Sequence, residues 1–68
     1  MIHGTVKWYR SDGTGYIQDR NGTTYYTDRS VVLCDDALLI MGTPVSFKRN
    51  FILGKLVATN VNVTHTGD

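Results

Sequence analysis

The chain has a single cysteine, Cys34, so no intrachain disulfide can form, and an odd thiol suits a reducing compartment such as the cytoplasm. It also lacks an excess of charge of either sign. Seven basic residues face six acidic ones, a net charge of +1, too little to hold a duplex through phosphate contacts alone. No apolar run approaches the length of a bilayer span, and the first residues, MIHGTVKW, have neither the basic start nor the apolar stretch of a signal peptide. An unprocessed chain with no membrane partner is expected.

Chemistry-bearing clusters are equally scarce. His3 and His65 are far apart and have no cysteine at ligand spacing, which speaks against a metal site. Cys34 sits beside Asp35 and Asp36, an acidic setting that speaks against a nucleophilic thiol. Gly13-Thr14-Gly15 has no helix after it to supply amide dipoles, so it reads as turn glycines and not as a phosphate loop. No base and nucleophile pair stands out, so no cofactor and no enzymatic activity are expected. Size points the same way. A chain of 68 residues makes one domain spanning 1–68 and buries only about 60% of its unfolded surface. Any site is therefore expected on the surface, not in a deep pocket.

Rings and bases concentrated in one stretch are what remains. From Gly4 to Asp28 the sequence holds Trp8, Tyr9, Tyr16, Tyr25 and Tyr26, five of seven aromatic residues, interleaved with glycine, lysine and arginine. Aromatics and bases on short strands suggest a stacking platform for single-stranded nucleic acid. The plain alternative is that the same rings form the core of a small barrel.

Strand periodicity divides the chain into five segments. Ile2 to Arg10 alternates as a strand, but Val6, Trp8 and Tyr9 cannot share its faces without a twist or bulge near Trp8. A turn at 11–13 leads to a second strand, Gly15 to Asp19, with Tyr16 and Gln18 on one face and Ile17 on the other. Asn21-Gly22 fits a type I′ hairpin turn, in which both central residues take positive φ. The third strand, Thr23 to Thr27, then puts Tyr26 beside Tyr16, with Tyr25 and Thr27 facing the other way. The segment from Asp28 to Pro44 fits no period and is expected to be a long ordered loop, with one aspartate-capped helical turn as the alternative. Val45 to Phe51, a turn at Leu53-Gly54-Lys55, and Leu56 to Thr64 complete the set, and Thr66 to Asp68 are expected to fray. Three strands in a meander, a long connection and two more match a five-stranded antiparallel Greek-key barrel of the oligonucleotide-binding (OB) type, all-β. A partly open barrel of this kind leaves edges able to pair or swap, which allows a monomer or a weak homodimer.

The sequence resembles the cold-shock domain family over nearly its whole length. Gly4-Thr5-Val6-Lys7-Trp8-Tyr9 is similar to the family's G-x-V-K-W-F, Asp12-Gly13-Thr14-Gly15-Tyr16-Ile17 to K-G-F-G-F-I, and Tyr25-Tyr26-Thr27-Asp28 to V-F-V-H. Gly42 to Phe47 resembles G-x-x-V-x-F, and Ala58-Thr59-Asn60-Val61 resembles A-x-N-V. The departures fall on the binding motifs: the segment between Trp8 and Gly13 is one residue shorter, Asp12 replaces a lysine, Thr14 a phenylalanine and Asp28 a histidine. The resemblance implies passive binding of single-stranded RNA or DNA, with bases on Trp8, Tyr16 and Tyr26 and phosphate on Lys7; Arg10 and Arg29 are expected to compensate in part for the lost positions, because a guanidinium both pairs with phosphate and stacks on a base. Two lost ring positions imply binding weaker by roughly 2–6 kcal/mol, at about 1–3 kcal/mol per stacked base. The competing expectation is a diverged domain that has given up nucleic acid for a protein partner, motivated by Asp12, Thr14, Asp28 and the apolar run Leu38 to Met41.

Overall fold

The computed structural model describes residues 1–64. They form β1 (Ile2–Tyr9), β2 (Thr14–Asp19), β3 (Thr24–Asp28), β4 (Pro44–Ile52) and β5 (Lys55–Val63), with two short 3-10 turns at Arg29–Val31 and Asp36–Leu38 between β3 and β4. Every strand end lies within one residue of its expectation from the pattern. The expected fraying of Thr66 to Asp68 concerns positions outside the described residues. Among the described residues no helix is long and apolar enough to cross a membrane.

The strands close into a barrel in the order β1-β2-β3-β5-β4, with β4 returning to β1, consistent with the OB type. All-antiparallel pairing was the expectation, and the barrel is mixed: β3 and β5 run parallel, with Tyr26 opposite Val57 and a further parallel bridge at Val32–Val61. The reason is parity. Directions can alternate around a closed ring only if the number of strands is even, so five strands leave at least one parallel neighbour pair. Here it falls where the 29–43 connection carries the chain from β3 to β4 and lets β5 come back beside β3.

Two bulges set which side chains face inward. In β1, Val6 opposes Ile17 and Trp8 opposes Tyr16, so two steps on β1 match one step on β2 and Lys7 is the extra residue. That insertion reverses the alternation. Val6 is buried, Trp8 turns outward, and Tyr9 packs against the core. In β5, Thr59 opposes Lys48 and Asn62 opposes Ser46, so the extra residue lies near Asn60, which takes a left-handed φ of 52°. Asparagine tolerates this conformation better than most residues. The result is that Ala58 and Val61, three apart, both reach the interior.

The core joins Val6, Ile17, Tyr25, Leu39, Val45, Phe47, Ala58 and Val61. Tyr25 and Phe47 meet at its centre with ring centroids 5.0 Å apart. Leu39 is the contribution of the long connection; its neighbours Leu38, Ile40 and Met41 stay exposed. Asp28 and Asp35 begin the two 3-10 turns by accepting from the amides of Ser30 and Ala37 at 2.9 and 3.0 Å. The capped turn expected as an alternative after Asp35 is thus present, inside an otherwise irregular loop.

The hairpin turns differ from expectation. Gly22 has positive φ but Asn21 does not, so the 21–22 position is not type I′. Instead Gly22 donates to the Asp19 carbonyl at 3.1 Å, and the Asp19 carboxylate accepts from the amides of Asn21 and Thr23 at 2.9 and 3.0 Å. The aspartate side chain, bonded to amides two and four residues on, decides the turn. The two-residue turn with positive φ at both positions is Leu53-Gly54 (51° and 79°), which joins Ile52 to Lys55. A leucine there carries a steric cost and, at 98% exposure, gains no burial in return. Leu53→Asn is therefore expected to stabilise the chain by about 1 kcal/mol, read as a higher urea midpoint with an unchanged slope.

Candidate nucleic-acid interface

Strand alternation fixes the outward face of the first hairpin. With Ile17, Tyr25 and Thr27 buried, the register rows Thr14–Asp28, Tyr16–Tyr26 and Gln18–Thr24 face out across β2 and β3. The β1 bulge adds Trp8 to this face. Its ring centroid lies 5.0 Å from that of Tyr16, which lies 5.8 Å from that of Tyr26, at interplanar angles of 48° and 75°. All three rings are half-buried. They form a continuous tilted row able to offer exposed ring faces to flat, apolar partners while shielding one another's edges.

Cations cover both ends of the row. The Arg10 guanidinium carbon is 4.7 Å from the Trp8 ring centroid, and the Lys55 ammonium is 5.8 Å from that of Tyr26. Each cation–π contact is worth about 0.5–1 kcal/mol at an exposed site. Such a cation is held near the rings yet is free to turn toward an anion. Lys55 went unnoticed in the sequence because it reaches Tyr26 only through the parallel β3–β5 pairing, which leaves no local pattern. Lys7, the bulged residue, is exposed beside Trp8 in the chain.

Arg29 is placed differently from the other five candidates. Its Nε donates to Asp36 Oδ2 at 2.6 Å and its Nη2 to the Ser11 carbonyl at 3.1 Å. Tyr9 donates its hydroxyl to the same Asp36 oxygen at 3.0 Å. The three side chains fasten the β1–β2 turn to the second 3-10 turn. The Arg29 guanidinium and the Tyr9 hydroxyl hold the Asp36 carboxyl below its ordinary pKa. Tyr9 is raised by burial and by its bond to Asp36, and Arg29 is raised by Asp36.

The two acidic departures also have structural roles. Asp12 accepts from the Thr14 amide at 3.0 Å and from its hydroxyl at 2.7 Å, and the Thr14 hydroxyl followed by its amide lowers the Asp12 pKa. Asp28 accepts from both the amide and the hydroxyl of Ser30. Asp19 is opposed by burial, but bonds from Tyr25, Thr23 and Asn21 outweigh this and lower its pKa. Among the described residues no three His, Cys, Asp or Glu side chains come together as a metal-binding group.

Compared with known proteins, the chain matches no family model and no curated sequence.

The Asp36 network gives a pH signature. A carboxyl held below its ordinary pKa adds stability above the unfolded value, and that stability is lost as pH falls through the folded one. Wild type is therefore expected to exceed Asp36→Asn in urea midpoint at pH 7. The gap should narrow as pH drops below the ordinary aspartate value of about 3.9.

Proposed function

We propose that the chain is a diverged cold-shock-type domain that binds single-stranded RNA or DNA on the outward face of β1, β2 and β3. The observation that carries this reading is the unbroken row Trp8–Tyr16–Tyr26 with a cation over each end. Unpaired bases stack on the rings, and the strand's phosphates draw Arg10 and Lys55 off the ring faces, with Lys7 as a third cation. Arg29 shapes the neighbouring loop and stays with Asp36. No bond is made or broken in this action; the protein keeps a strand extended and unpaired by occupying its bases. The closed barrel is compatible with such a role, and the lone Cys34 suits work in the cytoplasm.

The magnitudes favour modest affinity. Three stacked rings offer about 1–3 kcal/mol each, and three phosphate contacts give a slope of log K against log salt of about −2 for a single strand. Asp12 and Asp28 oppose the phosphates while holding their own loops, so part of the affinity is given up to build the fold.

Anisotropy of a fluorescent pyrimidine-rich oligonucleotide in low salt tests the reading. Trp8→Ala is expected to weaken binding by about 1–3 kcal/mol. Asp28→Asn, which retains a good capping residue, is expected to tighten it. An unchanged anisotropy up to millimolar wild-type protein defeats the proposal.

A second reading, a protein-interaction domain, draws on Leu38, Ile40 and Met41, which are exposed around the buried Leu39. Its test is recovery of a protein partner after nuclease treatment, abolished by Ile40→Asp; substituting Leu39 would disturb the core instead.

A further inference from the structure

The β4–β5 hairpin runs on past the barrel wall. β1 pairs with β4 only from Thr5–Pro44 to Ile2–Phe47, whereas β4 continues to Ile52 and pairs with β5 throughout. Among the described residues, Lys48 to Ile52 thus have a strand neighbour on one side only. All five are exposed, Phe51 at 71% and Ile52 at 50%.

The direction of the free backbone groups follows from the turn. A two-residue hairpin closes on a hydrogen-bonded pair, here Ile52 with Lys55, and such pairs recur at every second residue. Ile52, Asn50 and Lys48 therefore direct their N–H and C=O groups at β5. Arg49 and Phe51 direct theirs outward, as an unsatisfied template for another strand.

We propose that this edge pairs with the same edge of a second copy, antiparallel about a two-fold axis through Asn50. In that register Arg49 of one copy lies opposite Phe51 of the other, and the outward backbone groups of the two residues meet in four hydrogen bonds. Asn50 faces Asn50 as a non-hydrogen-bonded pair, and Lys48 faces Ile52. Charged edge residues ordinarily keep strands apart, but here every cation falls opposite an uncharged side chain. The two Lys48 residues end up about 13 Å apart along the strand direction, beyond the screening length of about 8 Å, whereas the two Arg49 residues are diagonal neighbours about 7–8 Å apart, a repulsion that salt weakens. Arg49 adds to the lowering of the Asp19 pKa through its charge, and its aliphatic stem is available to the ring opposite.

Other registers lose this fit. Sliding by one residue puts inward-pointing backbone groups opposite outward-pointing ones, and sliding by two sets either Arg49 opposite Arg49 or Arg49 opposite the turn residue Leu53, with two backbone hydrogen bonds in place of four. The area involved is small, so the pair belongs to the weak interfaces that form at high protein concentration. The two-fold axis stands perpendicular to the joined sheet, which keeps the faces bearing Lys55 and Tyr26 of both copies on one side. The pairing does not depend on what that face binds.

Crosslinking and sedimentation test the proposal. Cα atoms of a non-hydrogen-bonded pair sit about 4.5 Å apart, within the range of about 4.4–6.8 Å that a disulfide spans. In a Cys34→Ser background, Asn50→Cys is expected to oxidise rapidly to a covalent dimer, at least tenfold faster than Lys48→Cys. Without oxidation, the wild-type mass is expected to rise from 7.6 kDa toward twice that value between micromolar and millimolar protein. Phe51→Lys, which sets a lysine opposite each Arg49, is expected to stay monomeric. A monomeric wild type at millimolar concentration, equal crosslinking at positions 48 and 50, or undiminished dimer in Phe51→Lys would each overturn it.

Discussion

The extra residue that Lys7 inserts into β1 decides which side of the barrel each ring of that strand faces. A strand alternates with a period of two, so a one-residue shift sends every later side chain to the opposite face. Without the bulge, Trp8 would follow Val6 into a core already occupied by Ile17, Tyr25 and Phe47, and Tyr9 would point to solvent, away from Asp36. With it, the large indole leaves the interior and joins Tyr16 and Tyr26, while Tyr9 turns in and anchors the second 3-10 turn. The bulge near Asn60 does the same work in β5, bringing both Ala58 and Val61 inward. A barrel with so thin a core can carry a row of outward aromatics only because such irregularities separate the two sets of rings.

The carboxylates hold the loops that connect these strands. Asp12, Asp19, Asp28, Asp35 and Asp36 each accept hydrogen bonds within a turn or between loops. β4 and β5, by contrast, contain no acidic residue and carry Lys48, Arg49 and Lys55. The modest net charge of the chain therefore conceals an uneven layout: the carboxylates serve as acceptors in turns and at strand ends, the last hairpin carries three bases and no acid, and the other four bases, Lys7, Arg10, Arg20 and Arg29, lie in the first half. The electrostatic field at the ring row follows from this layout more than from the overall sum.

Much of the fold could be read from local patterns, and most of the failures share a cause. The strands were legible because β-branched and aromatic residues alternate between turn residues, and the bulge near Trp8 was legible because Val6, Trp8 and Tyr9 could not otherwise share two faces. The pairing of Tyr16 with Tyr26 followed from alternation in neighbouring strands. Most of what escaped was set by partners distant in sequence, the Asp19 turn being the local exception. Asp19 overrode the Asn21-Gly22 signal through its side chain, the odd strand number forced the parallel β3–β5 pair, and that pair alone brings Lys55 to Tyr26. Arg29 looked like a phosphate ligand because its engagement with Asp36 and Ser11 depends on how the long connection folds back over the β1–β2 turn.

The central claim is that the outward ring row is where a single strand lies. Amide and indole chemical shifts, followed while an unlabelled pyrimidine-rich oligonucleotide is added to isotope-labelled protein, address it most directly. The account predicts perturbations at the Trp8 indole and at Tyr16, Tyr26 and Lys55, with the buried Tyr25 and Phe47 little affected. Shifts confined to Leu38, Ile40 and Met41, or no shifts at all, would contradict it.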